Sequence, residues 1–104
     1  MVVSLLLRDI KVALSRVYGD DLRGIYLYGS YVLGDEDPES DLDMVIVLRD
    51  FEDYWEEVRR TGALISELSL KYEVSISPIR VREAAWKGED TPFLNRVRKE
   101  AVPL

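Results

Sequence analysis

The chain has no cysteine and no histidine among its 104 residues. Without cysteine there is no disulfide framework, no thiol nucleophile and no thiolate metal site; without histidine there is no imidazole base or ligand. Any chemistry must run on carboxylates, hydroxyls, backbone amides, lysine and arginine. A long apolar run is missing too. The opening segment, residues 1–21, is interrupted by Arg8 and Asp9, far short of the roughly 20 apolar residues of a membrane span. No basic stretch precedes it and no small-x-small cleavage site follows, so it reads as a helix of a soluble, cytoplasmic domain rather than a signal peptide. Basic residues are the minority, 14 against 20 acidic, and the net charge of −6 argues against a nucleic-acid groove or an anionic membrane as ligand, since both need a basic footprint.

What is present is a globular composition, 47% hydrophobic and 33% charged. The length sets one domain, residues 1–104, with one modest core. Leu6, Ile10, Ala13, Leu14 and Val17 recur at three- and four-residue spacing, which predicts an amphipathic helix ended by Gly19. Residues 22–28 (LRGIYLY) read as a strand. Residues 41–48 (DLDMVIVL) begin polar and end in a continuous apolar run, which predicts a central strand buried on both faces. Residues 51–70 carry Tyr54, Val58, Ile65 and Leu68 as a helical stripe, with acidic residues in the first turns. Residues 72–81 alternate with period two, placing Val74 and Ile76 on one face and Glu73, Ser75 and Ser77 on the other, with Pro78 marking an edge or bulge. A short helix near 82–87 and a last helix opened by Thr91 and Pro92 complete a small α/β or α+β sandwich.

The stretch between the first two strands carries the chemistry. Gly29-Ser30 falls where a strand ends and a helical turn begins; glycine allows close backbone approach, and free amides with the Ser30 hydroxyl suit an anion. Asp41 and Asp43 lie two apart on a strand, so both carboxylates project from one face. Two like charges so placed call for a cation, and hard oxygen ligands suit Mg²⁺ shared with phosphate. Taken singly, a Gly-Ser after a strand is usually a turn, and an Asp-x-Asp at a strand start is usually a solvated cap. Together they form the apparatus of phosphoryl or nucleotidyl transfer. Aspartates are also poor strand formers, and these two open a strand that runs on into the core as Met44 to Leu48.

Gly29-Ser30-Tyr31, Gly34 and Ser40-Asp41-Leu42-Asp43 together resemble the signature of the DNA polymerase beta-like nucleotidyltransferase superfamily. The length and the form of the motif are similar to its smallest members, the minimal nucleotidyltransferases that act as antitoxins in HEPN/MNT pairs. The resemblance also takes in the leading helix, the helix after the motif, Ser77-Pro78 and the closing segment 92–102. It implies a polymerase beta-like nucleotidyltransferase fold, a small mixed sheet with flanking helices. It further implies ATP as substrate, Mg²⁺, and transfer of AMP to a hydroxyl, a tyrosine, of a partner HEPN ribonuclease toxin, with the toxin as partner in a possible joint oligomer. Gly29 and Ser30 would hold the triphosphate, and Asp41 and Asp43 the metal. A third carboxylate of the superfamily lies on the neighbouring strand, and Glu73 is the residue expected to serve as that catalytic and metal ligand. Leu33 departs from the pattern, since many relatives carry a basic residue there. Two alternatives stand beside the enzyme: a catalytically degenerate antitoxin that neutralises by binding alone, and a nucleotidyltransferase for a small molecule.

Other residues receive plainer readings. Trp55 and Trp86 are expected as core or interface anchors. Arg96, Arg98 and Lys99 are read as a solvated helix face, and Asp35, Glu36, Asp37 and Glu39 as an exposed acidic loop beside the site that a basic toxin surface could meet.

Overall fold

The structure, a computed structural model, describes residues 3–29 and 41–104. Ser30, Tyr31, Leu33, Gly34 and the acidic residues Asp35, Glu36, Asp37 and Glu39 lie outside the described residues. Four strands, β1 (Leu22–Tyr28), β2 (Leu42–Leu48), β3 (Ile76–Arg82) and β4 (Val102–Pro103), form one sheet in the order β3-β2-β1-β4. β1 runs antiparallel to β2 and β4, while β2 and β3 are parallel. A parallel pair needs a crossover, and α2 (Tyr54–Tyr72) provides it. The other helices are α1 (Val3–Tyr18), α3 (Glu83–Gly88) and α4 (Pro92–Glu100), with one 3-10 turn at Gly19–Asp21. This is the mixed α/β architecture expected from the sequence, with the apolar run 44–48 in a central strand. Among the described residues no helix is long and apolar enough to cross a membrane.

Alternation along β2 divides the core into two layers. Leu42, Met44, Ile46 and Leu48 point to one face, where Leu6, Ile10, Leu14 and Tyr18 of α1 meet them at strict four-residue spacing together with Leu68 of α2. Val45 and Val47 point to the other face and pack with Tyr28 of β1 and Val97 of α4, flanked by Tyr26, Ile79, Val81 and Trp86. Trp86 serves as an anchor there, its ring 4.8 Å from that of Tyr26. Trp55 does not join either core and is 65% exposed.

Two helix ends differ from the sequence expectation. α2 begins at Tyr54 because Asp53 is extended and its carboxylate accepts from the Trp55 amide at 3.0 Å, an N-cap that leaves Phe51 and Glu52 outside the helix. At the other end α2 continues to Tyr72, so the expected strand 72–81 starts only at Ile76. Glu73 is therefore not a strand residue. It is the exposed C-cap of α2 in the left-handed conformation (φ 54°), and its amide and that of Val74 close the last turn onto Leu70 and Ser69 carbonyls. The physical reason is packing: Leu64, Leu68 and Tyr72 keep helical spacing against the α1 layer, and the Tyr72 hydroxyl donates to the Asp9 carboxylate. The alternation of Val74 and Ile76 mimics a strand, but Val74 is buried in the turn after the helix.

One buried polar group ties α2 to β3. Arg80, only 8% exposed, donates from Nη2 to Thr61 Oγ1 at 2.8 Å, and Thr61 in turn donates to the Glu57 carbonyl at 2.9 Å. Removing the acceptor strands a buried guanidinium. Thr61→Val is therefore expected to lower the unfolding free energy in urea by about 1–3 kcal/mol, with Thr61→Ser losing less; equal losses would show that the hydroxyl contributes nothing. Beside this group, burial and then the Glu57 carboxylate push the Tyr18 phenol up to about 12. An unfolded tyrosine ionises near ~10, so the folded state binds the proton more tightly. The stabilisation is complete below that pH and is lost as pH rises through about 12. Tyr18→Phe is expected to flatten this alkaline decline in denaturation midpoint, and an unchanged slope would contradict the assignment.

Candidate active site

β1 brings the chain to Tyr28 and stops at Gly29, whose φ of +79° lies in the left-handed region that glycine alone adopts without cost. A second constraint acts at the same residue. A Cβ built on Gly29 would stand 2.5 Å from Asp43 Oδ2, so the absent side chain is what lets the turn lie against the carboxylate. Asp43 is positioned by register on both sides: it pairs with Tyr28 of β1 and with Ser77 of β3. Tyr28 packs in the layer under α4, so Asp43 opens onto that same face, just beyond Val45.

Asp41 lies one residue before β2. The Leu42 amide donates to the Ser75 carbonyl at 2.7 Å, which fixes where the strand starts. Ser77 Oγ donates to Asp41 Oδ2 at 2.8 Å, so both carboxylates and the serine hydroxyl share one end of one face. Burial first, and then the Asp41 charge, raise the Asp43 carboxyl above its ordinary range, while Arg96 of α4 opposes them. Burial and the Asp43 charge raise the Tyr28 phenol in the same way, again against Arg96. Two carboxylates made to repel each other, one partly desolvated, are the donor set a small hard cation takes, with phosphate and water completing its shell. Mg²⁺ bound there would supply neutralisation of phosphate charge. Among the described residues no group of three acidic, histidine or cysteine side chains converges to hold a metal.

Of the residues singled out from the sequence, the structure brings together Gly29, Asp41 and Asp43 and leaves Glu73 on the α2 cap. Ser30 lies outside the described residues. On the strand beside Asp43, the residue facing the site is Ser77. Sequence reading placed Ser77 on the right face but gave it no role; its place on the same face as Ile79 and Val81, two and four residues on, was the available signal. The run Arg96, Arg98, Lys99 also divides. Arg98 is not simply solvated, since its guanidinium reaches the Trp86 carbonyl at 2.8 Å and the Glu89 carbonyl at 2.7 Å. No periodicity distinguishes these two arginines; only the roll of the helix does.

Gly29→Ala tests this close approach. It is expected to cost about 1–3 kcal/mol of stability through the left-handed backbone, and to abolish divalent-cation binding measured by calorimetric titration of Mn²⁺. Retained binding would show that the contact with Asp43 is incidental.

Comparison with known proteins agrees with this geometry. A family model described as a nucleotidyltransferase domain matches residues 7–103. Over 99 residues, 95% of each chain, the protein is 31% identical to a Methanocaldococcus jannaschii protein that carries the name of a protein adenylyltransferase. It shares its fold with a toxin–antitoxin crystal structure containing AMP-PNP, at TM-score 0.62 and 22% identity over 92% of this chain and 69% of that one. It shares it also with the complex of a tri-AMPylated Shewanella oneidensis HEPN toxin and its MNT antitoxin, at TM-score 0.53 and 18% identity over 93% of this chain and 68% of that one. A match spanning nearly the whole chain, on a sheet that sets paired aspartates beside a glycine turn, leaves one conclusion: the chain belongs to the nucleotidyltransferase domain family.

Proposed function

We propose that this protein is an Mg²⁺-dependent nucleotidyltransferase that moves AMP from ATP to a hydroxyl, a tyrosine, of a partner HEPN toxin and thereby acts as its antitoxin. The observation that carries this reading is the pair Asp41 and Asp43 held on one face against the left-handed Gly29. The relative named for protein adenylylation and the AMPylated toxin complex support the acceptor class.

In the transfer, the acceptor oxygen attacks the α-phosphorus of ATP, the bond from that phosphorus to the bridging oxygen breaks, pyrophosphate leaves, and the acceptor proton passes to water. A site without histidine can accelerate this step by positioning and by charge neutralisation. Gly29, with Ser30 next to it, takes the triphosphate; Asp41 and Asp43 hold the cation; Ser77 keeps the Asp41 carboxylate oriented through its 2.8 Å hydrogen bond. The acceptor hydroxyl belongs in this reading to a separate folded partner, as in the complex that holds an AMPylated toxin.

A second reading has an observation of its own. The residue paired with Asp43 on the neighbouring strand is Ser77, not a carboxylate, and Glu73 lies on the α2 cap, which favours an antitoxin that neutralises by binding alone. One experiment separates the two. With α-labelled ATP, Mg²⁺ and a HEPN toxin that forms a complex with it, the wild-type chain is expected to label the toxin, and Asp43→Asn to lose at least 100-fold of that rate while the complex persists on gel filtration. Full neutralisation by Asp43→Asn, with no label in either reaction, would establish the binding-only reading instead.

A further inference from the structure

The roll of α4 separates three neighbouring side chains. Val97 is fully buried and, with Leu94, seats the helix on the sheet against Tyr28, Val45 and Val47. Adjacent helical residues are turned by about 100°, so Arg96 and Arg98 lie on opposite flanks of that seated line. Arg98 is tied to α3: besides the Trp86 and Glu89 carbonyls it reaches Asn95 Oδ1 at 2.7 Å. α3 follows the end of β3 remote from Ser77. Val97 packs with Tyr28, the cross-strand partner of Asp43, so Arg96, next to Val97 and on the flank away from α3, lies toward the end of β1 and β2 that carries Asp43. Its guanidinium rests 5.8 Å from the Phe93 ring centroid, a cation–π distance that holds it without using its hydrogen-bond donors.

We propose that Arg96 is a substrate-binding residue of this site, contacting the β- and γ-phosphates, the part of ATP that leaves as pyrophosphate. This rests on the nucleotidyltransferase reading above. The charge account requires such a group. Asp41, Asp43 and the triphosphate together carry more negative charge than one divalent ion neutralises. Arg96 brings positive charge to that face out of α4. A guanidinium offers a planar fork of donors that matches two phosphate oxygens, which an ammonium does not.

Binding by the chain alone tests the assignment without the toxin. In calorimetric titrations, Arg96→Gln is expected to weaken Mg-ATP and Mg-pyrophosphate at least tenfold and by similar factors, with an unchanged thermal midpoint. Arg96→Lys should recover part of the loss, and Lys99→Gln, an exposed change on the same helix, should bind as wild type. If wild type binds Mg-ATP and Arg96→Gln binds both probes equally well, the role of Arg96 is wrong while the site stands. If wild type binds no Mg-ATP, both the site and the role of Arg96 fall.

Discussion

The placement of Asp41 and Asp43 on one face where β2 begins is the constraint that the elements around it serve. β2 is buried on both faces from Leu42 to Leu48, apart from Asp43, and a strand so placed has no reason of stability to begin with two carboxylates. Holding them there draws on three neighbours. β1 must end in a left-handed glycine so that the turn clears Asp43. β3 must present Ser77 in register to bond Asp41. α4 must cover the same face closely enough for the charge of Arg96 to reach Asp43. Each neighbour meets the same pair, and two carboxylates on one face are a donor set that suits a cation.

This division of labour explains how a single small domain can serve both stability and chemistry. The layer under α1 and α2 holds the continuous apolar core, with the buried residues Leu6, Ile10, Leu14 and Tyr18 of α1 at four-residue spacing. The layer under α3 and α4 is smaller, with four buried members, and gives way at one end to the polar group around Asp43. Stability is thus invested mainly on one face of β2 and the proposed site on the other. Alternation along a single strand suffices for that, which is why Val45 and Asp43 can be neighbours on one face while Leu42, Met44 and Ile46 fill the opposite one.

Most of the fold was legible in the sequence because its signals were periodic and local. The four-residue spacing of α1, the apolar run of β2 and the Thr91-Pro92 start of α4 each state their element directly, and Thr91 does accept from the Leu94 amide at 3.1 Å. The paired aspartates and Gly29 were legible for a different reason: they break local preference where nothing in packing demands it. Glu73 misled because Val74 and Ile76 alternate like a strand, whereas the contact of Tyr72 with Asp9 of α1 carries the helix two residues further. That contact joins positions 63 residues apart, and no local pattern contains it. The same holds for β4, whose two residues become a strand only because β1 offers them an edge at Tyr26 and Leu27. Arg96 and Arg98 look alike in sequence and differ only in which side of the seated helix they occupy.

The central claim is that the carboxylate pair at the mouth of β2 is the cation and phosphate site of a nucleotidyltransferase. A crystal structure of the chain grown with Mg²⁺ and a non-hydrolysable ATP analogue tests it most directly. The account predicts a cation bridging Asp41 and Asp43, with the triphosphate lying between Gly29 and Arg96. Nucleotide bound elsewhere on the chain, with no ion between the two aspartates, would contradict it.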